Sequence, residues 1–366
     1  MSGMHGSIPA LTTADDHEWA RRCSFWHSHQ FGGDKARRRR QRCSTPLILC
    51  GHGVSLRVEA GTLLIRNGFT HYPQQREEFR YFRGDLDRPA RIILVDGSGS
   101  ISFDVLDWLA EQDVPLIRIS WTGEVVTVAG AGYSADPETV EWQRKMRADP
   151  AARLSFSCDL IRRKIENSIE TLQGAIPPLE NCDRAISKLH AELDGLSRGQ
   201  ARNIDQLRGI EGSAGKAYFS AWHGVPLKWS QNRRRPIPAD WLTIGPRSSA
   251  LAEKTSKNRN ATHPINAMLN YAYAVLEAQV RIQTVAEGYD PTVGIMHHDY
   301  RGGPAFVLDK MEPLRPAVDQ AVLRFALGNE LHPADFVLRS DGACRLNPQL
   351  SRQVALVALR SSAELP

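Results

Sequence analysis

No apolar run in this chain is long enough to span a bilayer, and residues 1–30 are mixed and polar, without the apolar core of a secretory signal. A cytoplasmic location is the resulting expectation. No Cys-x-x-Cys pair occurs. The cysteines Cys23, Cys43, Cys50, Cys158, Cys182 and Cys344 are scattered, which argues for reduced thiols and against a disulfide framework. Cys23, His27, His29 and Cys43 could gather zinc, but their spacing fits no standard finger. A Walker lysine is missing, which argues against nucleotide hydrolysis. Gly97-x-Gly99-x-x-Ser102 mimics a dinucleotide fingerprint but lacks the third glycine and an acidic partner. There is no internal repeat and no low-complexity tract.

What is present is ordinary in amount and uneven in distribution. The 366 residues suffice for two or three domains, and 42% apolar with 24% charged residues is usual for a globular protein. Net charge is +5 and the isoelectric point about 8.9. Basic residues cluster at Arg37–Arg40 with Lys35 and Arg42, at Arg162, Arg163 and Lys164, and at Arg233, Arg234 and Arg235. Such clusters often neutralise phosphates, and they also serve as solvated faces or flexible arms.

Residues 1–45 show no sustained period and read as a basic, poorly ordered extension. Residues 46–132 read as β-rich. Strand patterns occupy 47–50, 55–59, 62–66, 91–95, 114–119 and 124–128, with one helical stretch over 101–112. Asp136-Pro137 marks a linker near 133–140. From there the pattern is helical over 154–172, 185–196, 204–222, 266–285, 313–327 and 349–359. The fold class is therefore α+β. A small N-terminal β-rich, β-sandwich-like domain precedes a larger all-α domain over 141–366.

Three remote segments carry the chemistry. Glu211 sits in a helix among Gly209, Gly212, Ser213, Ala214 and Gly215. Each helical glycine costs about 1 kcal/mol against alanine, so close approach of another helix or a ligand should offset it. Glu211, Gly215 and Tyr218 share one face. His297 and His298 follow Gly294 in a turn, and either imidazole suits a borderline cation. Asp309 and Glu312 are three residues apart, ahead of Pro313 and Pro316, which places both near a helix start. Each segment also has a plain structural reading. Glu211 could be a surface glutamate, the histidine pair could be structural, and the two acids could simply complement a helix dipole.

Taken together, the order Glu211-Gly212-x-Ala214-x-x-x-Tyr218-Phe219, then Gly294-x-x-His297, then Asp309-x-x-Glu312-Pro313-x-Arg315-Pro316-x-x-Asp319 resembles the CRISPR-associated Cas1 integrase family. Between the first two motifs stand Arg233-Arg234-Arg235-Pro236 and an Asn266-Ala267-x-Leu269 helix with Tyr271 and Tyr273, also similar to that family. The resemblance spans about 47–358. It implies a metal-dependent DNA endonuclease or integrase, with Mg²⁺ or Mn²⁺ held by Glu211, His297 and Glu312. Asp309 would assist, and His298 is the alternative imidazole. Arg233, Arg234, Arg235, Tyr218, His223 and Arg315 would contact DNA. It further implies a homodimer joined through the β domain, with double-stranded DNA and a small Cas2 protein as partners. A repair nuclease acting on branched DNA and a catalytically silent DNA-binding scaffold are the rival readings.

Overall fold

The protein is described by a computed structural model covering residues 13–28, 43, 46–68, 77–120, 125–130, 135–230, 236–246, 261–297, 303–340 and 342–363. The Arg37 cluster, Arg233, Arg234, Arg235, His29 and His298 fall outside those residues.

The described N-terminal strands join one six-stranded sheet, where sequence patterning suggested a sandwich of two. Its members are β1 (Leu47–Glu59), β2 (Thr62–Arg66), β3 (Glu78–Tyr81), β4 (Ile92–Ile101), β5 (Leu116–Ile119) and β6 (Val125–Ala129). The order is β3-β2-β1-β4-β5-β6. β1–β4 and β4–β5 pair in parallel and the other neighbours antiparallel. A single sheet suffices because both of its faces are covered by helices. Leu47, Leu49, Leu63, Ile65 and Ile92 pack with Val105, Trp108 and Leu109 of α2 (Phe103–Glu111). Their strand neighbours Ile48, Ile93, Ile117 and Ile119 face the other way, into the core of the helical body. Strand residues alternate between faces, so nearly continuous apolar runs here mean two buried sides.

The glycines that mimicked a nucleotide fingerprint have a structural duty in this sheet. Gly97 has φ +97°, and a Cβ there would stand 2.0 Å from the Gly51 carbonyl. The bulges of β1 and β4 approach too closely for any side chain. β1 is consequently one strand of 13 residues, although its glycines split it into two in the sequence pattern.

The helical body comprises α3 (Pro137–Ala148), α4 (Pro150–Ala175), α5 (Glu180–Ser197), α6 (Ile204–Ser220), α7 (Pro264–Ala286), α8 (Ala305–Met311), α9 (Arg315–Gly328) and α10 (Pro348–Ala363). Three of the starts repeat one device, an acceptor side chain followed by proline. Asp136, Asp149 and His263 accept from backbone N–H groups of the first turn, and Pro137, Pro150 and Pro264 fill a position needing no N–H. α7 is buried along most of its length and forms the axis of the body. A two-stranded hairpin, β7 (Phe336–Leu338) and β8 (Cys344–Leu346), breaks the expected all-helical pattern. Arg345 to Asp96 and Arg352 to Glu77 tie the body to the sheet.

The reading of residues 1–45 as a loose arm needs correction over 13–28. These form α1 (Thr13–Ser28), with Ala20, Cys23 and Trp26 buried. The fully buried carboxylate of Asp335 accepts Arg22 through both oxygens and the Trp26 indole N–H at 2.9 Å. Trp26 lies against Phe325, and its carbonyl accepts from Gln353. Helical amphipathicity did not announce this helix because three well-placed residues anchor it.

Candidate metal centre

α6 presents Glu211, and a 3-10 turn, Glu312–Leu314, presents Glu312 between α8 and α9. Lys164 of α4 reaches both. Its Nζ donates to Glu211 Oε1 at 2.6 Å and lies 2.6 Å from Glu312 Oε2. The second approach is a close ion pair to a buried carboxylate. Arg315 Nε donates to Glu312 Oε1 at 3.2 Å. Burial alone would raise the Glu312 pKa, but Arg315 and Lys164 more than offset it and hold the carboxyl at about 2. Burial would likewise lower the Lys164 pKa, yet Glu312 and Glu211 raise it. These are ionised groups in a part-buried, mutually neutralising cluster.

His297 lies in the connection between α7 and α8. Its imidazole Nδ1 lies 2.7 Å from Asp309 Oδ1. A carboxylate there fixes the proton on Nδ1 and leaves Nε2 as a donor of electrons. Burial would depress the His297 pKa, but Asp309 raises it, with smaller contributions from Glu312 and Glu211.

Asp309 is fully buried and is no ligand as placed. Besides His297 Nδ1 it accepts the backbone N–H groups of Ile295 at 2.6 Å, Met296 at 3.1 Å and His297 at 3.0 Å. Arg153 holds the same peptides from the opposite side, donating to the carbonyls of Ile295 at 2.7 Å and Met296 at 3.2 Å. Buried Gln143 grips the loop further back at Asp290 and Val293. The His297 backbone is therefore clamped on both edges. Arg153→Met is expected to weaken Mn²⁺ binding about tenfold, the effect of losing an outer support of a ligand, with little change in helix content. Isothermal titration and circular dichroism measure the two.

Among the described residues, no three His, Cys, Asp or Glu side chains form a group that could hold a metal ion as they stand. The Lys164 ammonium occupies the point where the two carboxylates meet. The donor set nevertheless fits a divalent cation. It offers two carboxylates and an imidazole of fixed tautomer, and the two carboxylates already converge on one cation, the Lys164 ammonium.

Other residues expected at the site fall into two groups. Arg315 belongs to it, but faces Glu312 and stacks over Tyr273, so it is a structural cation of the centre. Tyr218 is buried, its hydroxyl donates to Asp319 at 3.0 Å, and it lines the cavity beside the carboxylates. His223 lies exposed in the turn after α6. The expectation that Asp309 and Glu312 share a helix start also needs correction. Asp309 is in the last turn of α8, and Glu312 begins the next turn. A cavity of about 220 Å³ adjoins the carboxylates, lined by Lys164, Glu211, Gly215, Tyr273, Arg315 and Asp319 among others. Among the described residues, no helix approaches the Cβ positions of the α6 glycines. A Cβ at Gly209, Gly212 or Gly215 would meet no neighbouring atom within 4 Å among the described residues.

Sequence reasoning missed Lys164, Arg153 and Gln143 as site residues. Lys164 was visible as part of a basic run, but its two neighbours diverge from it. Arg162 and Arg163 pair with Asp159 on the exposed flank of α4, whereas Lys164 turns inward.

Comparison with known proteins supplies the context for this geometry. The family description "CRISPR associated protein Cas1" matches residues 47–357. A "CRISPR-associated endonuclease Cas1 1" of Thermus thermophilus is 28% identical over 312 residues, covering 84% of each chain. The structure of a "Casposase bound to integration product" superposes with a TM-score of 0.67 at 23% identity, over 87% of this chain and 82% of that one. A "Cas6-RT-Cas1--Cas2 complex" gives 0.65 at 16% identity, over 92% of this chain and 33% of its longer counterpart. At these identities the two structures share the fold. No described helix is long and apolar enough to cross a membrane.

Proposed function

We propose, from the premise that this chain belongs to the CRISPR-associated Cas1 family, that it is a metal-dependent DNA integrase of CRISPR adaptation. It joins the 3′-hydroxyls of spacer DNA to phosphodiesters at the repeat boundaries of a CRISPR array. One observation carries the reading: Glu211 and Glu312, 101 positions apart in sequence, converge on a single cation, the Lys164 ammonium.

Glu211, His297 through Nε2, and Glu312 would hold Mg²⁺ or Mn²⁺. When bound, such an ion polarises the phosphoryl oxygen and offsets charge on the attacking and leaving oxygens. Asp309 keeps the His297 proton on Nδ1, and Arg153 with Gln143 keeps the imidazole in place. No side chain needs to form a covalent intermediate, because the attacking group is a DNA hydroxyl. The bare strip of Gly209, Gly212 and Gly215 lets a DNA backbone come close to α6. Arginines around it, such as Arg208 on α6, would engage phosphates with a salt-dependent affinity. The casposase bound to its integration product and the Cas1–Cas2 assembly support DNA and a small Cas2 protein as partners. Exposed Ile101, Phe103 and Leu106 at the sheet end of the molecule offer an apolar surface for a second copy.

The test supplies a duplex with free 3′-hydroxyls and a supercoiled plasmid carrying an array, with Mg²⁺ or Mn²⁺. Joined, nicked plasmid is the expected product. Cleavage of branched DNA with no joining would replace this reading by a repair nuclease. DNA binding without either reaction would reduce the chain to a scaffold.

A further inference from the structure

We propose that Lys164 is a resident counter-cation, which a divalent ion displaces from between Glu211 and Glu312 and which then holds a non-bridging oxygen of the DNA phosphodiester. This rests on the metal-centre reading above and adds a role for a residue outside its ligand set. The ammonium lies 2.6 Å from one oxygen of each acid. A divalent ion between the same two oxygens would stand close to the ammonium, and like charges that close repel in a part-buried setting, which drives the ammonium aside. The side chain has somewhere to go. The cavity of about 220 Å³ beside the carboxylates is lined in part by Lys164 itself.

Charge explains what the displacement achieves. Without metal, Glu211 and Glu312 are balanced by Lys164 and Arg315, so the centre is close to neutral and attracts an anion weakly. With a divalent ion added, the same residues carry about two positive charges in excess. That excess is suited to a phosphodiester gaining negative charge as it reacts. Lys164 thereby makes capture of the phosphate conditional on metal, and it keeps the two acids from repelling each other while they wait.

The test compares wild type, Lys164→Met and Lys164→Arg. Titration of the purified full chain with MnCl₂ should show about tenfold tighter binding in Lys164→Met, as expected for removing a competing charge, and little change in Lys164→Arg. In the wild type, acetylation of Lys164 by acetic anhydride, followed by mass spectrometry, should rise several-fold when Mn²⁺ is present. That second measurement needs no variant and is immune to misfolding. Equal or weaker Mn²⁺ binding in Lys164→Met, or unchanged acetylation, overturns the proposal while leaving the metal centre intact. Failure of the wild type to take up Mn²⁺ overturns both.

Discussion

Glu312→Ala is expected to lower strand transfer by at least about 10³-fold, as gel-resolved initial rates with Mn²⁺ would record. The magnitude follows from the several kcal/mol that a catalytic metal supplies, at about 1.4 kcal/mol per factor of ten. Glu312 is the acid with the most to lose. It is buried, held ionised with a pKa of about 2, and contacts both Lys164 and Arg315. Its removal also leaves two part-buried cations facing each other, so some of the loss would come from a loosened centre. Glu312→Gln separates the two effects. The amide keeps the volume but cannot bind metal as a carboxylate does, so it should lose as much activity and less stability. An alanine variant retaining more than a tenth of wild-type activity would remove Glu312 from the metal centre.

Asp335→Ala is expected to cost about 3–5 kcal/mol, the usual consequence of taking one partner from a buried ion pair. Asp335 is fully buried and is the common acceptor for Arg22 and Trp26. Without it the indole N–H and the guanidinium of α1 lose their partner together. The variant should show a lower urea midpoint and faster proteolysis within 13–28. Arg22→Ala should show the same pattern, because it leaves the fully buried carboxylate without its cation while keeping the Trp26 bond. Equal protease resistance of α1 in wild type and Asp335→Ala would show that Asp335 does not anchor that helix.

The site was legible in the sequence where its chemistry needs a particular residue in a particular local setting. Glu211 among glycines, His297 after Gly294, and Glu312 before Pro313 each stand in a short pattern, and the structure brings Glu211 and Glu312 onto the Lys164 ammonium. Asp309 was expected to assist, with no partner named. Its burial beneath the His297 loop is a tertiary fact, invisible in a three-residue spacing. Lys164 was hidden by its neighbours, since nothing in Arg-Arg-Lys says which member points inward. Arg153 and Gln143 act on backbone carbonyls and N–H groups more than 140 positions away, contacts that leave no sequence mark. The strands of the N-terminal region were readable from apolar runs, but their assembly into one sheet was not. Two-sided burial looks the same whether a helix or a second sheet provides the cover.

The central claim is that Glu211, His297 and Glu312 share one divalent ion. Anomalous diffraction at the manganese edge, from crystals of the full chain soaked in Mn²⁺, tests it most directly. A peak bounded by the two carboxylates and His297 Nε2 is expected, with the Lys164 ammonium moved aside. A peak elsewhere, or none at that point with Lys164 still bridging the two acids, would contradict it.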